Sequence, residues 1–299
     1  MNNLSFRDLA QAAVASYKGR DASFGARLAF WIDHFGDRAI TDILPDDVDE
    51  GVALLTQKRR TLVRTTAAGV VRVESEQPIS GSTVNRYVAS LGTCLKLLRR
   101  MRLLPRGFVS PLRGVERQPE GDSRTVGNVT AADIRRLIAC CRVSRNRKLA
   151  ALVAFSATTG WRQGSVQTLT WGALDLKQGF ADTARTKNGT PHRCVLQPFV
   201  VEELRRIQPT DPHPSALVFG AHSVEKAWRT ALQRANLPED WTLHHLRHVA
   251  ASILAQNGAS VPTIMQALNH KTPAMSLRYS HLDTVTLRQV TGNAWGVQA

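Results

Sequence analysis

Six side chains offer this sequence its chemistry. His244 and Arg247 stand three apart and open an apolar run, Val249 to Leu254, that reads as a buried helix. Residues three apart share a helix face, so both polar side chains can point the same way. His270 follows, and then Tyr279 directly after Arg278. Upstream, in TTGWRQGSVQTL, Arg162 comes just behind Gly160. Between the two clusters, RTKNGTPHR presents Lys187 at an expected hairpin turn, Asn188-Gly189. Two arginines, a lysine, two histidines and a tyrosine suit one ligand, a phosphodiester attacked by a phenol.

The rest of the chain fits a polyanion as partner. Lys and Arg number 39 against 24 Asp and Glu, for a net charge of +15, and the pI is near 10.6. A folded protein this basic meets nucleic acid more often than it carries idle charge. The alternative is a basic but unspecialised surface. No basic amphipathic anchor stands apart from the folded segments, which argues against a membrane surface. At 299 residues and 43% hydrophobic, the chain reads as globular with two domains. The four cysteines, Cys94, Cys140, Cys141 and Cys194, form no C-x-x-C pair and sit in apolar patterns, as reduced core thiols do. MNNLSFRDLA lacks the apolar stretch of a signal peptide. The longest apolar run, Leu149 to Ala157, falls well short of the roughly 18 residues of a membrane span. A soluble, cytoplasmic protein is expected.

Apolar spacing then supplies the elements that must position the six residues. Ser5 and Asp8 make a capping box before Leu9, Ala13, Val14 and Tyr17, and Gly19 ends that helix. A second helix runs from Ala26 to Phe35, and Pro45 begins a third. Residues 59–75, rich in Val and Thr around Ala67-Ala68-Gly69, predict an added β-hairpin. Ser82 is expected to cap a long helix with Val84, Tyr87, Leu91, Leu95 and Leu98 on one face. Arg113 to Gly127 has no periodicity and reads as a linker, giving a helical domain over 1–115, a linker over 116–127 and a larger domain over 128–299. In the larger domain Thr130 and Asp133 form another capping box, and a buried helix, about Lys148 to Thr159, is broken by Gly160. Phe180–Thr186 and His192–Leu196 predict a two-stranded hairpin. Helices resume near Val200, Ser223 and Leu243; Pro262 and Pro273 start short ones, the last bearing Tyr279. The fold class is mainly α, with a small β-hairpin or sheet in the second domain.

With these elements in place, the chain resembles the tyrosine recombinase, or phage integrase, family. TGWR matches the family's first arginine box and gives Arg162. TKNG matches its hairpin lysine, Lys187, and HHLRH its H-x-L-R-H box, with His244 and Arg247. LNH matches the Leu-Gly-His box, His270, and RYSH the nucleophile box, Tyr279, nine residues on. Any one box is weak, but five in order at family-like spacings are specific. STVNRYVASLGTCLKLL resembles more weakly the family's helical, SAM-like core-binding domain. Three positions depart from the pattern: Ser165 where an acid often follows the arginine, Asn269 where a glycine precedes the histidine, and His245 where aspartate is common. The first removes an expected brace of the site. The hairpin over 59–75 is longer than the usual loop, and the length leaves no room for an additional arm-binding domain.

The resemblance implies a site-specific recombinase acting on double-stranded DNA, without metal or ATP. Arg162 and Arg247 would clamp the non-bridging oxygens, since a guanidinium fork binds phosphate bidentately and stays charged. Tyr279 would attack, with His244 as base or orienting group. Lys187 would protonate the leaving 5′ oxygen, and His270 would donate a hydrogen bond to the phosphate. The product is a 3′-phosphotyrosine, which keeps the bond's energy for rejoining. The implied assembly is a monomer in solution that forms a homotetramer on DNA, or a heterotetramer with a related recombinase. The tail after Leu282, with Val285, Leu287, Val290 and Trp295, is expected to pack on a neighbouring protomer. Two alternatives stand: a type IB topoisomerase-like relaxing enzyme, and an inert DNA-binding regulator. His244, His245, His248 and His270 could also be read as a zinc set, although Arg247 among them would repel a cation.

Overall fold

The computed structural model describes residues 5–66, 69–120, 129–183, 191–220 and 224–279, and the chain divides into two compact units, Met1–Ser123 and Arg124–Ala299. Lys187, the Asn188-Gly189 turn, the tail after Leu282, the expected helix start at Ser223 and most of the expected linker lie outside the described residues. Twelve α-helices and five strands are found among those described, a mainly α architecture.

The first unit is helical because its apolar residues recur at helical spacing between strong caps. Helices α1 (Phe6–Ser16), α2 (Phe24–Phe35), α3 (Pro45–Gln57) and α4 (Gly81–Arg100) bury Phe6, Leu28, Trp31, Phe35, Leu55 and Leu91 in one core. Ser5 and Asp8 form the expected capping box. Ser80, not Ser82, caps α4: its extended backbone lets its hydroxyl accept from the Thr83 N–H at 3.3 Å. The hairpin is longer than expected. Strand β1 (Arg59–Thr66) pairs antiparallel with β2 (Gly69–Pro78), and the ladder carries Glu76 and Gln77, poor strand formers on their own, past Ser75 to Pro78. Asn85, buried in α4, donates to the Gln118 carbonyl at 2.9 Å and to Glu120 at 2.8 Å, and accepts from the Gln118 N–H at 2.9 Å. Part of the sequence without periodicity is therefore pinned to this unit.

The second unit is arranged around one helix. α6 (Leu149–Thr159) is apolar on every side and almost wholly buried, as a helix at the centre of a fold must be. It packs against α5 (Ala131–Arg142), α8 (Pro198–Ile207) and α10 (His245–Gln256). Short α7 (Gln163–Gln167) follows α6 after a three-residue turn. The expected hairpin has a third strand: β3 (Leu174–Asp175) pairs with β4 (Phe180–Thr183), which pairs with β5 (His192–Val195), all antiparallel. A two-residue strand is too short to show alternation in sequence. Helices α9 (Glu225–Arg234), α11 (Val261–Leu268) and α12 (Ala274–Leu277) complete the unit. Tyr279 lies in the turn after α12 rather than within a helix, and His244 is the residue before α10 rather than part of it.

The four cysteines are free thiols. Burial pushes Cys94, Cys141 and Cys194 up to about 12, so they stay protonated. No helix among the described residues is long and apolar enough to cross a membrane.

Candidate active site

Arg247 is the hub. It sits in the first turn of α10 and is 7% exposed. Its guanidinium donates to the Gly160 carbonyl at 2.6 Å and to the Leu268 carbonyl at 2.7 Å. One side chain thus ties the end of α6, the start of α10 and the end of α11. Those three places carry Arg162, Arg247 and His270.

The backbone is left-handed at the first anchoring residue, Gly160, and at Asn269, just after the second. Gly160 caps α6 at φ +59°, and a Cβ there would meet the Leu268 side chain at 2.0 Å. Only glycine allows both that conformation and that approach. Asn269 caps α11 at φ +51°. Asparagine tolerates this region better than other non-glycine residues, which accounts for its place where the family pattern has glycine. Its Nδ2 is buried without a hydrogen-bond partner among the described residues, so a donor is left over next to His270.

Arg162 lies near enough to Arg247 for its charge to act there. Arg162 is half-buried and, like Arg247, has no carboxylate partner among the described residues. Ser165, where a bracing acid was absent from the sequence, donates its backbone N–H to the Arg162 carbonyl at 2.8 Å. Burial lowers the pKa of Arg162. Arg247 is pulled down to about 10, first by burial and then by the charge of Arg162, with Tyr279 acting the other way. Uncompensated buried charge is costly, and the arrangement makes sense as a socket for an anion supplied from outside.

The nucleophile candidate points at a histidine that sequence reasoning did not select. The Tyr279 hydroxyl is 2.5 Å from His248 Nδ1, and both residues are only 8% exposed. His244 is half-buried, with its ring edge-on to His248 at 5.5 Å between centroids. His245 is committed elsewhere: its Nδ1 accepts from the Thr242 N–H at 2.9 Å, and its ring stacks on Trp241. His270 Nδ1 meets the Ser276 hydroxyl at 2.7 Å, which fastens it to the helix just before Tyr279. Burial, then Arg247 and Arg162, push His270 down to about 4, so it is neutral at pH 7. When Ser276 donates to Nδ1, the other ring nitrogen carries the proton and can donate.

His192, at the start of β5, also belongs here. Its pKa is lowered first by burial, with Arg247 and Arg162 adding to the shift, and its Nε2 lies 3.2 Å from the Ala267 carbonyl. In sequence it showed only as the first residue of a strand. Among the described residues no group of His, Cys, Asp and Glu is placed to hold a metal ion.

Comparison with known proteins gives the family and the fold. The chain is 31% identical over 209 residues to the shufflon-specific DNA recombinase of Escherichia coli, covering 69% of this chain and 52% of that protein. It is 23% identical over 291 residues to the integrase of Salmonella phage P22, covering 86% and 70%. The chain therefore spans about half the length of the first of these relatives. The fold matches that of the Tn1549 transposon integrase in complex with transposon right end DNA, with a TM-score of 0.67 at 14% identity over 97% of this chain and 99% of that one. It also matches the XerH site-specific recombinase bound to its palindromic difH substrate, with a TM-score of 0.65 at 16% identity over 90% and 78%. The profile of the Phage integrase family aligns with residues 128–285, from before the first helix of the second unit to beyond Tyr279, and the chain belongs to that family.

Proposed function

We propose that this protein is a site-specific DNA recombinase that cuts and rejoins strands through a 3′-phosphotyrosine at Tyr279, using neither metal nor ATP. One observation carries the reading: two arginines without carboxylate partners among the described residues act together near a buried tyrosine whose hydroxyl is 2.5 Å from an imidazole nitrogen. A phosphodiester supplies the missing anion, and charge building on its non-bridging oxygens during attack meets donors already in place.

The steps balance in atoms and charge. The Tyr279 oxygen bonds to phosphorus as the bond from phosphorus to the 5′ oxygen breaks. The phenol proton passes to His248 Nδ1, which is bare in the tautomer that accepts this hydrogen bond. Lys187 gives a proton to the departing 5′ oxygen. Arg162 and Arg247 hold the non-bridging oxygens, and neutral His270 donates to one of them. His244, packed on His248, orients it and is the second candidate for the base. A 5′ hydroxyl from another strand reverses the sequence and closes the new junction.

In this reading the first unit is the core-binding domain and the second the catalytic domain. Double-stranded DNA is the substrate, and a monomer in the cytoplasm assembles as a tetramer on it, with copies of itself or a related recombinase. The relatives bound to DNA share the fold, and the family profile spans four of the catalytic positions together with Lys187 and His244.

The test begins by recovering the genomic fragments the full chain retains, then building the shortest of them as a duplex nicked near the cleavage position. Loss of the short fragment beyond the nick traps the covalent step. A denaturation-resistant protein–DNA adduct is expected with the native chain and none with Tyr279→Phe. No adduct with the native chain, alongside tight binding, would favour the inert regulator. Plasmid relaxation without recombinants would favour the topoisomerase-like enzyme.

A further inference from the structure

The β1–β2 hairpin is the one large element whose existence the catalytic reading leaves unused. It has the wrong composition to stand alone in water. Val70, Val71 and Val73 are 68%, 42% and 39% exposed, and β2 has no buried residue along its length. A two-stranded ribbon with no covered face is marginally stable. Strand formers such as these are retained when something else covers them.

Charge says what that something is. Residues 1–57 carry five Lys and Arg against nine Asp and Glu, whereas residues 58–117 carry thirteen against three. The first three helices of the unit are thus acidic, and its positive charge lies in the hairpin, α4 and the turn beyond. Within the hairpin the segregation repeats. Arg64 and Arg72 lie in the outer part, with no acid among residues 61–73, while Glu74 and Glu76 fall with Arg59 and Arg60 at the end nearest the helices. The outer part of the ribbon is cationic and apolar together. A protein partner would be met by either property, but the two combined suit a DNA groove, where arginines take phosphates and base edges and small apolar groups touch thymine methyls. Eight residues of strand reach about 26 Å at roughly 3.3 Å each. A major groove about 12 Å wide admits a two-stranded ribbon.

We infer that strands β1 and β2 form a DNA-reading ribbon that inserts into a major groove beside the recombination core and lengthens the site the protein recognises. The inference rests on the recombinase reading for its substrate class and adds a second contact surface to it.

The experiment uses the full chain and a labelled duplex of about 40 base pairs, read by fluorescence anisotropy between 50 and 200 mM salt. Three proteins are compared: native, Arg72→Glu, and a chain with residues 61–74 replaced by Gly-Gly. A fourth, Val71→Cys carrying a photo-crosslinker, reports contact directly. The ribbonless chain should bind at least about tenfold more weakly, with a salt slope shallower by about 2; Arg72→Glu should lose slope by about 1. Val71→Cys should crosslink to DNA. If the native chain binds DNA while the ribbonless chain matches it in affinity and slope and no crosslink forms, the ribbon inference falls and the recombinase reading stands. A crosslink to a second protein chain instead of DNA overturns the inference in favour of a subunit contact. If the native chain fails to bind any duplex, both readings fall. Should the ribbonless chain melt early, Arg72→Glu and the crosslink decide, since neither disturbs the ladder.

Discussion

Two arginine-rich regions of the second unit can be set side by side. At α5 and α8, Glu203 is 2% exposed and accepts from Arg142 at 2.6 and 2.8 Å, with Arg206 3.7 Å away. At α7 and α10, Arg162 and Arg247 have no carboxylate partner among the described residues, and two backbone carbonyls hold Arg247. The first region is electrically closed. The second is open, and the charge of Arg162 lowers the affinity of Arg247 for its proton. A paired buried charge fixes helices together; an unpaired one marks where a ligand's charge is missing.

Removing Arg162 should break the comparison most sharply. Arg162→Ala should cut the cleavage rate about 10²–10³-fold, the usual effect of losing one transition-state donor. Its melting temperature should hold or rise slightly, because an uncompensated charge leaves the fold. Arg247→Ala should lose as much rate and in addition about 1–3 kcal/mol of stability, since two buried carbonyls lose their donor. Single-turnover adduct formation and thermal melts separate the two effects.

His248→Ala should slow adduct formation about 10²-fold, the lower range for a general base, without loss of DNA affinity. Its rate should then rise with pH as solvent takes over the phenol's proton. A rate unchanged from the native protein would return the role to His244.

Arg142→Ala should behave in the opposite sense. It leaves a carboxylate that is 3% exposed with Arg206, 3.7 Å away, in place of two hydrogen bonds, and should cost about 1–3 kcal/mol, with the cleavage rate per folded molecule unchanged.

The smallest effect concerns pH. His270 has its pKa lowered from 6.5 to about 4 in the folded chain. Between those values the unfolded chain binds the extra proton, so stability is full above pH 6.5 and falls as pH drops toward 4. Thermal melts from pH 7 to 4 should show this decline, and His270→Gln should flatten it.

Much of the candidate site's makeup could be read from the chain, and the parts that could not have physical reasons. Arg162, Arg247, His270 and Tyr279 come together as their sequence boxes imply. His248 was hidden because three histidines crowd HHLRH, and only the path of the chain to a residue 31 positions away selects one of them. The pair formed by Arg142 and Glu203 spans 61 residues, so local spacing reads Arg142 as part of a solvated basic run. Gly160 announced a helix end, whereas its close approach to Leu268 is a tertiary fact. Ser80 and Ser82 are chemically equal caps, and backbone conformation alone chose Ser80. Asn269 looked like a defect in the family pattern until its left-handed φ showed which property of glycine it replaces.

The central claim is that a phosphorus atom bonds to one phenolic oxygen beside the open arginine pair. Protease digestion of the trapped protein–DNA adduct, followed by mass spectrometry of the peptide carrying the nucleotide, tests it most directly. The account predicts a nucleotide mass on Tyr279 and on no other residue. A modified serine, histidine or different tyrosine, with Tyr279 intact, would contradict it.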